Sequence, residues 1–201
     1  TYSEYARDGF TQLVWVAILS FLIISFAERQ IVQHEGIHSP RFKLLSGTLV
    51  FLVIAILVSA WNRLALYEDA YGITAIRLYS HALTVWLGVA LAMLSVHIAK
   101  SGKRNEFALR IFVSVLIFLT LMNILNPDAF IAKQNLARYH DTGMIDAEYL
   151  GSLSNDALPY TKVLASDPRE DVRSDFAKGR VWNEHNAATN WQEWRWADLG
   201  K

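Results

Sequence analysis

The chain has 201 residues, 53% of them hydrophobic, with 19 Lys and Arg against 19 Asp and Glu. Zero net charge leaves no basic face to displace counterions from nucleic acid, so no nucleic-acid partner is expected. Cysteine is absent, which removes disulfides, thiolate nucleophiles and cysteine metal clusters.

The apolar residues are bunched rather than spread. They fill blocks up to Asn126, and the remainder of the chain has the mixed composition of a water-facing segment. The sequence opens on Thr1, with no signal peptide before Phe10. This suggests a piece of a longer chain with further helices upstream, a processed mature start being the alternative.

A bilayer core of roughly 30 Å needs about 20 apolar residues at the helical rise. Four windows meet that length: 10–27, closed by Glu28 and Arg29; 44–61, closed by Asn62 and Arg63; 82–99, closed by Lys100; and 107–125. The last carries Arg110 near its start, where a long side chain can reach the headgroups. A soluble core helix would keep a polar stripe, and these windows are apolar all round. The expected fold class is therefore all-α: an integral membrane region of about four transmembrane helices over 1–126, followed by a water-facing helical tail over 127–201. No Asp or Glu falls inside the four windows, so an acidic proton or cation relay has no carrier among them.

Loop charges set the expected orientation. Arg29, Arg41 and Lys43, with Lys100, Lys103, Arg104 and Arg110, lie on one side. Arg7, Arg63 and Arg77 lie on the other, joined there by Lys133 and Arg138 of the tail. The bias places both ends of the chain outside the cytoplasm. Whatever the absolute orientation, an even number of spans puts the 63–80 connection on the same side as the tail.

In the tail, Asn126-Pro127-Asp128 combines a cap, a proline at the first helical position and an acid in the first turn. It predicts a helix to Tyr139, with Gly143 beyond it. Asp146 is placed to cap a short helix through Leu153, Pro159 interrupts the pattern, and Asp167-Pro168-Arg169-Glu170-Asp171 repeats the start signal. The closing tryptophans Trp182, Trp191, Trp194 and Trp196 can rest in headgroups or pack the tail helices on one another. The charges Glu193, Arg195 and Asp198 among them favour packing.

Three stretches carry a family resemblance: 2–10 (YSEYARDGF), 66–78 (LYEDAYGITAIRL), and the set Asn126, Asn135, Arg138, Asp146, Tyr149, Leu150, Leu153, Ser154, Asp156 and Ala157. Together they resemble a bacterial polytopic membrane family known only as a domain of unknown function, numbered 4153/4173. The likeness extends to the closing 191–199. It implies the C-terminal half of a longer polytopic protein in the bacterial cytoplasmic (inner) membrane, and it supplies no catalytic residues.

On their own terms, Glu68, Asp69 and Arg77 read as a turn-containing loop that Gly72 lets bend. At a membrane boundary an arginine–carboxylate pair is expected there. These residues can serve as a structural clamp between helix ends. Alternatively they form a polar binding cluster with Asn126, Asn135 and Arg138 on the same side.

The one catalytic-looking string is His34-Glu35-Gly36-Ile37-His38, an H-E-x-x-H match. On a helix it would set two imidazoles on one face for zinc, with Glu35 as general base and His97 as a possible third ligand. Gly36 weakens such a helix and Pro40 ends it, and a polar loop between two spans explains the string equally simply. His81 and His97 bracket the third window about 24 Å apart at the helical rise and cannot share one ion. No metal or cofactor is expected.

The function that follows is a non-enzymatic integral membrane subunit, anchoring, binding a partner or sensing. Its expected neighbours are the lipid bilayer and other membrane subunits or further helices of a longer chain. A transporter or channel component is the first alternative, and a membrane zinc hydrolase using His34, Glu35 and His38 the second.

Overall fold

The computed structural model describes residues 2–35, 39–100 and 104–187, and the side chains of 12–31, 39–100 and 105–184. Regular structure among the described residues is entirely helical: α1 (Tyr2–Glu35), α2 (Pro40–Tyr71), α3 (Ala75–Lys100), α4 (Arg104–Ile124), α5 (Pro127–Thr142), α6 (Ala147–Ser152), α7 (Leu158–Thr161) and α8 (Glu170–Ala187). Short 3-10 turns at Asn155–Ala157 and Lys162–Ser166 flank α7. The all-α expectation holds.

Four segments are long and apolar enough to cross a bilayer: Gln12–Ile31, Pro40–Tyr71, Ala75–Lys100 and Asn105–Ile124. Their outward faces carry Trp15, Leu19, Phe26, Phe51, Val85, Phe112 and Ile117, all exposed. Apolar area on that scale, spread over four helices, calls for hydrocarbon rather than water as its solvent. The protein is therefore integral to a membrane.

The helices overrun their hydropathy windows. α2 has 32 residues, about 48 Å at the helical rise, well beyond the roughly 30 Å of a bilayer core. Charge ends an apolar window without ending a hydrogen-bond ladder, and the Leu64–Ala70 stretch has no helix breaker. Glu68 and Asp69 consequently lie on the last turn of α2 and Arg77 on the first turn of α3. The expected loop shrinks to Gly72, Ile73 and Thr74.

The chain divides into two compact units, Thr1–Tyr71 with Ile76–Met122, and Gly72–Ala75 with Asn123–Lys201. In the first, the buried stripes step by three, four or seven residues: Val14, Ala17, Ile24 and Glu28 on α1; Ser46, Val50, Val53, Leu57 and Ala60 on α2; Thr84, Leu87, Leu91, Leu94 and Ile98 on α3. That is the seam of left-handed helix packing. Ala17, Ser46, Ala60 and Ala90 keep it narrow, as close packing in lipid requires. Of the four spans α3 buries the largest share and α4 the smallest.

The second unit is built on helix caps. Asn126 adopts the left-handed conformation (φ 46°) and its side chain accepts from the Ala129 amide, with Pro127 opening α5. The Asp128 carboxylate of that first turn accepts from the Ser154 amide at 3.1 Å. α5 ends at Gly143 (φ 69°), whose N–H closes on the Tyr139 carbonyl at 2.8 Å. Asp146 caps α6 through the Tyr149 amide at 2.9 Å. Pro159 opens the single turn of α7 rather than simply interrupting the chain, because its missing N–H has no partner to lose at that position.

α6 and α8 cross at two glycines. A side chain on Gly179 would collide with the Glu148 carbonyl oxygen, and one on Gly151 with that of Phe176. Only hydrogen at both positions lets the backbones meet. Ile131, Ala132, Leu150, Leu153, Leu164, Val172 and Phe176 fill the core beside the crossing. The carbonyl of Leu153 at the end of α6 takes Asn183 and Arg180 of α8.

Candidate functional site

The six residues of the expected polar cluster divide between the two units. In the first unit, Glu68 Oε2 meets His81 Nε2 at 3.1 Å, and the Trp61 ring lies 4.1 Å from the imidazole. The guanidinium of Arg77 stands 4.4 Å over the Tyr67 ring, a cation–π contact. Asp69 is exposed on the same last turn of α2. Glu68 Oε1 and His81 Nδ1 are buried with no hydrogen-bond partner.

In the second unit, Asn135 serves the Gly72–Ala75 turn. Its Oδ1 accepts the Ile73 amide at 3.0 Å, while its Nδ2 donates to the Ile73 carbonyl at 2.7 Å and to the Ile131 carbonyl at 3.0 Å. The Ala75 amide, among the first unpaired donors of α3, donates to the Tyr149 hydroxyl at 2.8 Å. Gly72 has φ 79°, and a side chain there would strike Asn135 Oδ1. Asn126 is the α5 cap, and Arg138 donates to the Met144 carbonyl at 3.3 Å.

A cleft of about 340 Å³ opens between α6 and α8, lined by Asp146, Glu148, Tyr149, Ser152, Gly179 and Trp182. Trp182 is 59% exposed, so at this position the indole does not close the helix packing expected of the tryptophans. Trp191, Trp194 and Trp196 lie outside the described residues. Nearby, Asp167 organises the start of α8. Its carboxylate accepts from the Arg169 amide at 2.9 Å and the Tyr139 hydroxyl at 2.7 Å, and Arg173 donates to its carbonyl at 2.6 Å. The Arg169 amide and the Tyr139 phenol hold the Asp167 carboxyl below its usual range, and donation to that carboxylate raises the Tyr139 phenol.

A second carboxylate–imidazole pair is buried in the first unit. Glu28 Oε1 and His97 Nε2 stand 3.0 Å apart, with residue exposures of only 5% and 2%. Phe107 stacks on the imidazole with ring centroids 4.6 Å apart. Glu28 lies one residue past the 10–27 window and within the apolar segment Gln12–Ile31. Its charge marks the edge of the hydropathy window, but the helix continues and keeps it on the buried stripe. Glu28 follows Ile24 by one turn on that stripe, the signal by which the sequence could have revealed it. His97, considered above as a possible third zinc ligand, is a core residue with its Nε2 on Glu28.

The side chains of the H-E-x-x-H string, His34, Glu35 and His38, lie outside the described residues. Among the described residues no three His, Asp or Glu converge as a metal site.

The family model of a domain of unknown function (DUF4153) matches residues 1–164. The chain belongs to the DUF4153 family. The match covers the four spans, the Gly72–Ala75 turn and the second unit through α7, including all three stretches that carried the resemblance. The closing 191–199 falls beyond it. No curated protein and no solved structure matches the chain. Membership in DUF4153 agrees with the apolar helices and assigns no chemistry to either carboxylate–imidazole pair.

Proposed function

We propose that this DUF4153 chain is a non-enzymatic integral membrane subunit that engages a partner protein, or senses a condition, through its second unit. The observation that carries the reading is the α6–α8 cleft. An exposed indole, Trp182, stands there beside Asp146 and Glu148 on a framework fixed by caps and a glycine crossing. A rigid aromatic within a polar rim is the chemistry of interface hot spots. The loop-charge bias supports the second unit on the extracytoplasmic side, and the family resemblance implies a bacterial cytoplasmic membrane.

The test is purification in mild detergent with mass analysis of the co-purifying species, for the parent chain and for Trp182→Ala. A partner held by the parent and lost from the variant is the expected result. A lone species at every concentration contradicts the reading. A compartment-dependent reporter fused after Lys201 tests the orientation, and a cytoplasmic signal overturns it.

A second reading, a transporter or channel component, is favoured by the Glu28–His97 pair, since ionisable groups in apolar spans mark ion and proton pathways.

A further inference from the structure

We propose that Glu28 and His97 form a proton-binding site within the membrane unit, the two groups sharing a hydrogen between Oε1 and Nε2 and taking up a further proton together. The proposal does not depend on the partner-binding reading.

The geometry supplies the argument. A carboxylate and an imidazole at 3.0 Å must have a hydrogen between them, because two bare lone pairs would repel. With a single hydrogen, carried by neutral histidine, the pair has a charge of minus one. Uptake of a second proton from water, on Nδ1 or on the carboxyl, brings the pair to zero net charge. A third makes it plus one. Burial penalises both charged levels, so the surrounding low dielectric favours the neutral one.

Charged groups on the neighbouring helices are exposed or engaged with other partners. On α1, Arg29 is exposed. On α2, Lys43 Nζ is committed to the Ala99 carbonyl at 2.9 Å. On α3, Lys100 is exposed. On α4, Glu106 and Arg110 pair with each other at 3.1 Å, and Arg104 precedes them with its side chain outside the described residues. Phe107 covers the imidazole face. Between this pair and Glu68–His81, at the other end of α3, Leu87, Ala90, Leu91 and Leu94 are buried.

The test is difference infrared spectroscopy on the purified full chain in lipid bilayers, stepped from about pH 8 to about pH 5, the range in which imidazoles change charge. Carboxyl and imidazole bands are expected to change in step. Both are expected to disappear together in Glu28→Gln and in His97→Gln, and to persist in Glu68→Gln. Should Glu28→Gln fail to fold, Glu28→Asp, which keeps the carboxylate, is expected to displace the coupled bands along the pH axis. A carboxyl band untouched by His97→Gln, an imidazole band untouched by Glu28→Gln, or no band depending on both overturns the proposal.

Discussion

Asn135 holds Ile73 by both backbone groups, accepting from its amide and donating to its carbonyl. One side-chain amide thus takes the place of a strand partner for a three-residue turn that has none. The turn between α2 and α3 belongs to the same compact unit as the helices after α4.

Asn135→Ala strands the Ile73 amide and carbonyl, and unsatisfied buried groups cost about 1–3 kcal/mol. The expected loss of stability in detergent is of that size, with hydrogen exchange at Ile73 accelerated. Asn135→Asp is expected to be nearly as harmful, since a carboxylate can accept the amide but not donate to the Ile73 and Ile131 carbonyls. Unchanged exchange in both variants contradicts the clamp.

Gly179→Ala places a methyl against the Glu148 carbonyl and is expected to cost about 1–3 kcal/mol or more as α6 and α8 separate. Gly47→Ala, with nothing within 4 Å of the added carbon, is the control. It is expected to be neutral or stabilising by up to about 1 kcal/mol, the helix-propensity difference. Thermal unfolding of the two variants side by side checks the contrast.

Asp167 and Tyr139 give the second unit a pH dependence with two limbs. The Asp167 carboxyl is depressed, so its contribution is present above the unfolded carboxyl value of about 4 and lost as pH falls through the folded one. The Tyr139 phenol is raised, so its contribution is present below the unfolded phenol value of about 10 and lost as pH rises through the folded one. Tyr139→Phe is expected to remove the alkaline limb and weaken the acid limb. Asp167→Asn is expected to flatten both. Denaturation midpoints measured across pH report the outcome.

How much of this was legible in the sequence follows from which signals are local. Caps are local: Asn126-Pro127-Asp128, Gly143, Asp146 and the Asp167 turn all stand where their chemistry puts them. The spans are legible because they need only length and apolarity. Their ends are not, since α1 and α2 continue helically past their first charges and carry Glu28 and Glu68 onto packed faces. Side-chain partners were the least legible. His81 finds Glu68, His97 finds Glu28, and Asn135 finds Ile73 across sequence separations that no pattern along the chain encodes. The Gly151–Gly179 crossing is likewise silent until α6 and α8 are brought together.

The Glu28–His97 pair makes a further prediction about stability. Single substitution with leucine at either position leaves its buried partner uncompensated, whereas the double substitution removes both polar groups. Each single variant is expected to be less stable in detergent than the double variant, and a double-mutant cycle measures the coupling. Additive single effects contradict a direct pair.

Four spans require the α2–α3 turn and the later helices to meet one face of the bilayer. The parent chain has no cysteine, so Tyr71→Cys and Met144→Cys, at positions 58% and 56% exposed, each give a single labelling site. With a membrane-impermeant thiol reagent on sealed vesicles, both sites are predicted to label from the same side. Labelling from opposite sides contradicts it.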